Sequence, residues 1–201
     1  MSLLLVADHL GVFVFALTGA LVAQQKEMDI FGFVVLALMP AVGGGTLRDL
    51  ILDVPVFWMQ NTTYLYLALA AALLTFFASR YIHKSRTILL WLDAVGLSVF
   101  CVTGASKALA VTGDATVAVL MGVITAVAGG IVRDVIANES PLVLHREVYA
   151  TAAFAGSLVF VLLTPYFPAY ALVSGLLVAL GVRALGIVLN LSLPRGGPPA
   201  D

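Results

Sequence analysis

Charge is scarce in this sequence. Its 201 residues include ten Lys and Arg and eleven Asp and Glu, 10% of the chain, against 62% hydrophobic residues and a mean hydropathy of +1.09. Soluble domains run about 45–50% apolar and about 25% charged, and so few charges cannot cover a water-facing surface. A water-soluble globular fold is excluded, and a polytopic membrane protein is expected. The formal net charge of −1 offers no basic face to nucleic acid. One cysteine, Cys101, excludes an intrachain disulfide and a thiolate metal cluster. His9, His83 and His145 lack metal-ligand spacing. The glycine runs carry no P-loop lysine, and the adjacent Ser106 and Lys107 would point about 100° apart on a helix, a poor catalytic dyad. No enzyme activity and no cofactor are expected. No basic residue precedes the first apolar run at Leu3, which reads as a retained helix and not as a signal peptide.

What the chain has is long apolar runs. Seven are predicted as transmembrane helices, near 3–23, 29–53, 62–81, 87–108, 114–137, 146–164 and 168–190, each close to the roughly 20 residues needed to span a bilayer. The Pro/Gly-rich tail from 191 to 201 reads as disordered. Lys26, Arg80, Lys84, Arg86, Arg133, Arg146 and Arg195 fall on or near one side of that topology, and only Arg48 and Lys107 on the other. The positive-inside rule then puts the N-terminus outside and the C-terminus in the cytoplasm.

The chain also repeats itself at an offset of 85 residues. Asp8, Gly11, Phe15, Thr18 and Gly19 match Asp93, Gly96, Phe100, Thr103 and Gly104; Asp29 matches Asp114; Gly44, Gly45, Arg48 and Asp49 match Gly129, Gly130, Arg133 and Asp134; Tyr64 matches Tyr149. Apolar helices share Leu and Val by chance, but not Asp, Arg, Thr and paired Gly in register. Residues 1–86 and 87–165 are therefore predicted as two three-helix repeats, with a seventh helix at 166–190. Three spans per copy turn the second copy upside down, the inverted-repeat design of transporters and channels.

The matched residues of the first and fourth helices share one arc of about 100°. This small, polar stripe is expected to face the bundle interior, because lipid-facing positions need neither Asp nor Thr. Lys107 extends it, Ser98 lies nearby, and Val22 stands in the first copy where Lys107 stands in the second. The glycines also suit close helix packing, and the charged groups could instead snorkel to an interface. In the second and fifth helices, Pro40, Gly43, Gly44 and Gly45, and Gly129 and Gly130, are expected to kink or break the helix. Arg48 and Arg133 follow the breaks, with Asp49, Asp93 and Asp134 as compensating charges. Tyr64 and Tyr149 read either as interfacial belt residues or as groups closing the path. Trp58 and Trp91 read as belt residues, and Arg183 as snorkelling or pairing at a subunit contact. The candidate path comprises Thr18, Arg48, Tyr64, Ser98, Thr103, Lys107, Arg133 and Tyr149.

Two three-helix units, each with Gly-Gly-x-x-Arg-Asp on its middle helix, plus a seventh helix resemble the trimeric intracellular cation (TRIC) channel family in its prokaryotic branch. The likeness spans residues 5–190. It implies a homotrimer in the bilayer, a pore in each protomer and potassium-preferring conduction. It also implies an anionic phospholipid near the pore, for which Lys107 and Arg133 are the matching positions. Some bacterial relatives are assigned instead to glycine uptake, so a secondary transporter of a small zwitterion is the alternative.

Overall fold

The computed structural model of the protein describes residues 3–81, 86–144 and 148–191. Among these are eight α-helices: α1 (Leu3–Gln25), α2 (Ile30–Ile51), α3 (Phe57–Gln60), α4 (Thr63–Ala78), α5 (Arg86–Thr112), α6 (Ala115–Ile136), α7 (Ala150–Leu163) and α8 (Pro168–Val188). A 3-10 turn covers Leu142–Leu144. The seven expected runs correspond to all of these except α3 and the turn. His83, His145, Lys84, Arg146, Arg195 and nearly all of the tail lie outside the described residues.

Five helices, α1, α2, α5, α6 and α8, are long and apolar enough to cross a membrane. The third helix of each copy is shorter than expected, 16 residues in α4 and 14 in α7. At 1.5 Å per residue these reach only ~21–24 Å, less than the ~30 Å hydrocarbon core. Before each stands a short element that the apolar runs leave out, α3 and the 3-10 turn, in corresponding places after α2 and α6.

Matched residues begin and end the middle helices. Asp29 Oδ1 accepts from Gly32 N at 2.8 Å and Asp114 Oδ1 from Val117 N at 2.9 Å. Each is an N-cap that satisfies an otherwise unpaired amide and stabilises its helix by about 1 kcal/mol. At the other end, Asp53 and Asn138 take the left-handed conformation at φ 53° and 54°, which short polar side chains tolerate. Val54 N and Glu139 N then bond back to Asp49 O and Asp134 O at 3.0 and 2.8 Å, closing each helix with a reversed turn.

The expected breaks are not interruptions. α2 is helical through Pro40 and Gly43–Gly45, and α6 through Gly129 and Gly130. The glycines instead permit close approach. A Cβ on Gly44 would lie 2.2 Å from Thr125 O, and one on Gly129 would lie 2.6 Å from Pro40 O. These contacts exchange under the 85-residue offset, so α2 and α6 cross with each helix's glycine against the other's backbone. Pro40 has no N–H for Leu36 O, its usual i−4 partner. That carbonyl is met by Gly19 of α1, where a Cβ would stand only 1.7 Å away.

Helix packing repeats in the same way. α1 packs on α2 and α4 as α5 packs on α6 and α7, while α1–α5 and α2–α6 join the halves. Phe15 and Phe100, another matched pair, stack at 5.1 Å between α1 and α5. α8 lies outside this scheme, against α5 and α7.

Candidate functional site

The charged residues of the two middle helices are buried, and each is held by protein partners. Arg48 Nε donates to Asp49 Oδ1 at 2.8 Å, and Arg133 Nε to Asp134 Oδ1 at 2.8 Å. The second carboxylate oxygens accept backbone amides, Asp49 Oδ2 from Phe57 N at 2.9 Å and Asp134 Oδ2 from Leu142 N at 3.1 Å. Phe57 and Leu142 are themselves 85 residues apart. Thus α3 and the 3-10 turn, which the hydropathy pattern does not reveal, orient the two carboxylates. Such satisfaction is what allows ionised groups to be buried.

Beyond this shared frame the halves differ. Arg133 Nη1 donates to Asp93 Oδ1 at 2.6 Å and to Thr18 Oγ1 at 3.0 Å, joining α6 to both α5 and α1. The corresponding Asp8 instead accepts the Tyr64 hydroxyl at 3.0 Å. Asp49 gains a second cation, Lys107 Nζ at 2.8 Å, where the other half has Val22. Arg48 also lies 5.7 Å from the centroid of the Phe57 ring.

Two cavities with charged side chains in their walls open beside these clusters. The first, about 360 Å³, has Leu4, Asp8, Arg48, Tyr64, Thr103 and Lys107 in its wall. The second, about 270 Å³, has Val22, Gln25, Leu89, Arg133, Asp134 and Leu142 in its wall. Leu4, Arg48, Phe57 and Lys107 of the first correspond to Leu89, Arg133, Leu142 and Val22 of the second. The first sits at the N-terminal end of α1 and the C-terminal end of α5, the second at their other ends. The two cavities therefore face opposite ends of the bundle, with the Phe15–Phe100 stack on the helices between them.

Of the residues picked out by sequence, Arg48, Tyr64, Thr103 and Lys107 meet at the first cavity, and Arg133 and Asp134 at the second. Thr18 and Asp93 sit behind the second through Arg133. Ser98 is buried, with its hydroxyl turned to Val95 O at 2.8 Å, and belongs to neither wall.

Tyr64 and Tyr149 are 5% and 2% exposed, so the belt reading fails for both. Both rings turn inward, Tyr64 with its hydroxyl on Asp8 and Tyr149 against the Arg183 guanidinium. Trp58 donates to Thr46 Oγ1 at 2.9 Å, whereas Trp91 is 38% exposed. Arg183 does not snorkel. It is fully buried, its guanidinium 5.0 Å from the Tyr149 ring centroid. Asp8 and His9, which stacks on Tyr64 at 4.4 Å, join the first cluster; only the Asp8–Asp93 match signalled the former.

At the mouth of the second cavity, Lys26 and Glu139 form a salt bridge between the loops after α1 and α6. The hydrogen bond and charge of Lys26 hold the Glu139 carboxyl below its ordinary range. A depressed carboxyl contributes stability above its unfolded pKa and loses it as pH falls through the folded one. Both side chains are part-exposed, so the effect is small and screened. Melting curves between pH 7 and 3 should show a slightly shallower acid-side decline for Glu139→Gln, and the difference should vanish in high salt.

The fold, with its long apolar helices and paired cavities, defines a duplicated, helical integral membrane protein. The duplication is visible in the family match itself, since the glycine transporter family aligns twice, over residues 5–80 and 90–165. The chain belongs to that family. It is similar to a UPF0126 membrane protein of Vibrio cholerae, 42% identical over 96% of this chain and 82% of that one. It is also similar to the UPF0126 inner membrane protein YadS of Escherichia coli K12, 42% identical over 93% of both chains. Among solved structures it resembles the TRIC trimeric intracellular cation channel orthologue from Rhodobacter sphaeroides. There the TM-score is 0.90 and the identity 47%, covering 95% of this chain and 100% of that one. The fold is thus that of prokaryotic TRIC channels.

Proposed function

We propose that the protein is a monovalent cation channel, potassium-preferring, with one path in each protomer running between the two halves. The reading is carried by the two matched cavities at opposite ends of the bundle, which suit a path entered from both sides. The similarity to the TRIC orthologue, named as a trimeric cation channel, supports it and supports a homotrimer. In this reading the halves are inverted repeats, the N-terminus is outside, and the C-terminus is cytoplasmic. The first cavity then opens outward. Arg80 and Arg86 flank the opposite end, as a cytoplasmic face requires. The Phe15–Phe100 stack and the Arg133–Asp93–Thr18 bridge keep the path closed. An anionic headgroup would meet Lys107 at the first cavity, where its side chain is part-exposed, or Arg133 at the second, whose Nη2 has no partner among the described residues.

Currents across a planar bilayer under a potassium chloride gradient test the reading. Discrete openings reversing near the potassium equilibrium potential are expected; reversal near the chloride potential, or silence from folded trimers, sinks it. The second reading is transport of a small zwitterion, supported by the family's description as glycine transporters and by charges of both signs at the first cavity. It requires saturable uptake of labelled glycine into liposomes without unitary currents.

A further inference from the structure

The bonds made in one half name the partners missing in the other. Among the described residues, the Thr103 and Tyr149 hydroxyls and Asp93 Oδ2 are buried without a hydrogen-bond partner, which is unfavourable for each. Their matches 85 residues away are all bonded. Thr18 Oγ1, the match of the Thr103 hydroxyl, accepts from Arg133 Nη1 at 3.0 Å. The Tyr64 hydroxyl donates to Asp8 Oδ2 at 3.0 Å, the matched pair of Tyr149 and Asp93 Oδ2. In the second half the aspartate is held by arginine, Arg133 Nη1 on Asp93 Oδ1 at 2.6 Å, and the tyrosine hydroxyl is left over. In the first half the aspartate is held by tyrosine, and Thr103 is left over in the cavity wall it shares with Arg48 and Asp8. The alternative partners are within reach. A Cβ on Gly130 would lie 2.7 Å from the Tyr149 hydroxyl, 3.7 Å from Asp93 Oδ1 and 3.8 Å from Arg133 Nη2. The three groups converge beside one glycine, so side-chain rotation moves Asp93 between the other two. The guanidinium is not stranded by the move, because Arg133 keeps Asp134 through Nε at 2.8 Å, as Arg48 keeps Asp49.

We propose that this aspartate is the moving contact of a two-position gate, built once in each half, and that the two gates stand in opposite positions. At the second cavity the gate is shut, with Asp93 and Thr18 both on Arg133. At the first it is released, with Asp8 on Tyr64. The second end opens when Asp93 passes from Arg133 to the Tyr149 hydroxyl. The first end shuts when Asp8 passes from Tyr64 to Arg48, which then also donates to Thr103. Tyr149 and Thr103 are thus positioning residues, each serving the position its own gate does not occupy. The gate rests on the path between the halves argued above, but not on what travels along it.

Tyr149→Phe and Thr18→Val push the second gate in opposite directions. Phe keeps a ring against Arg183 but removes the second partner of the carboxylate, and Val removes an acceptor from the shut position. Leu97 lies one turn beyond Asp93 on the same face of α5, away from the second mouth, and is 0% exposed. In the purified full chain carrying Leu97→Cys and Cys101→Ala, the rate of modification by a water-soluble methanethiosulfonate reports opening. Modification is expected to be about tenfold slower in Tyr149→Phe, as loss of a hydrogen bond to a charged group predicts, and several-fold faster in Thr18→Val. Open probability in a planar bilayer should move in the same directions. A tyrosine with a structural role alone predicts no change, since its hydroxyl is unbonded in the shut position. If Thr18→Val does not fold, Tyr149→Phe decides the matter alone. Rates for Tyr149→Phe equal to those of its background, or no modification in either, overturn the gate. The expected rates together with a silent bilayer leave the gate standing and overturn the cation reading.

Discussion

Arg133→Ala is expected to lower the apparent melting temperature of the purified protein by about 10 °C. Arg133 has no exposed side-chain surface and bridges Asp93 and Asp134, whose side chains are 0% and 7% exposed. Removing one member of a buried pair leaves an uncompensated charge, at a cost of about 3–5 kcal/mol. For a chain of this length each kcal/mol corresponds to roughly 2–4 °C. Arg48→Ala should be milder, because Asp49 keeps Lys107 at 2.8 Å. The double change Arg133→Met with Asp93→Leu should recover part of the loss, since no lone carboxylate then remains at position 93. Thermal melts followed by gel filtration decide it. A single variant melting with the wild type would mean that the bridge adds no stability.

Gly19→Ala is expected to prevent assembly of the native fold or nearly so, while Gly43→Ala is tolerated. The added methyl at position 19 would lie 1.7 Å from Leu36 O, a backbone atom that moves only if α1 and α2 separate. Gly44→Ala meets Thr125 O at 2.2 Å and should behave alike, through α2 and α6. At Gly43 the nearest atom is a Val132 methyl at 3.8 Å, an ordinary contact. Overpacking a tight interface costs about 1–3 kcal/mol when side chains give way, and more when backbone must. Yield of monodisperse protein for the three variants separates them, and equal yields would show that the helices are free to part.

Much of this was legible in the sequence. The 85-residue offset marked Arg48 with Arg133, Asp49 with Asp134 and Gly44 with Gly129 as equivalent, and the structure gives equivalent contacts to the last two pairs. Continuous apolar runs placed the long helices to within a few residues, because a run of membrane length has few alternatives. What stayed hidden was local or three-dimensional. Three glycines and a proline read as a break from propensity alone, but the helix continues because neighbouring backbones fill the space the side chains vacate. Phe57–Gln60 and Leu142–Leu144 are too short for any period to show, yet their amides fix both carboxylates. Tyr64 and Tyr149 looked interfacial because the third helices were taken as full spans. That Asp93 pairs with an arginine while its match Asp8 takes a tyrosine hydroxyl is a difference no pattern displays.

The helix outside the duplication makes the two ends of the molecule mechanically unequal. Tyr149 is pinned from α8 by Arg183, and Gly186 of α8 would bring a Cβ to 3.1 Å from Val148 Cβ. Tyr64 is covered instead by His9 of its own half, and the position matching His9 is the small, fully buried Ala94. A push on α8 would therefore bear directly on Tyr149. The same push finds no direct purchase at Tyr64. Equivalent positions are thus supported differently, one from the helix outside the duplication and the other from within its own half.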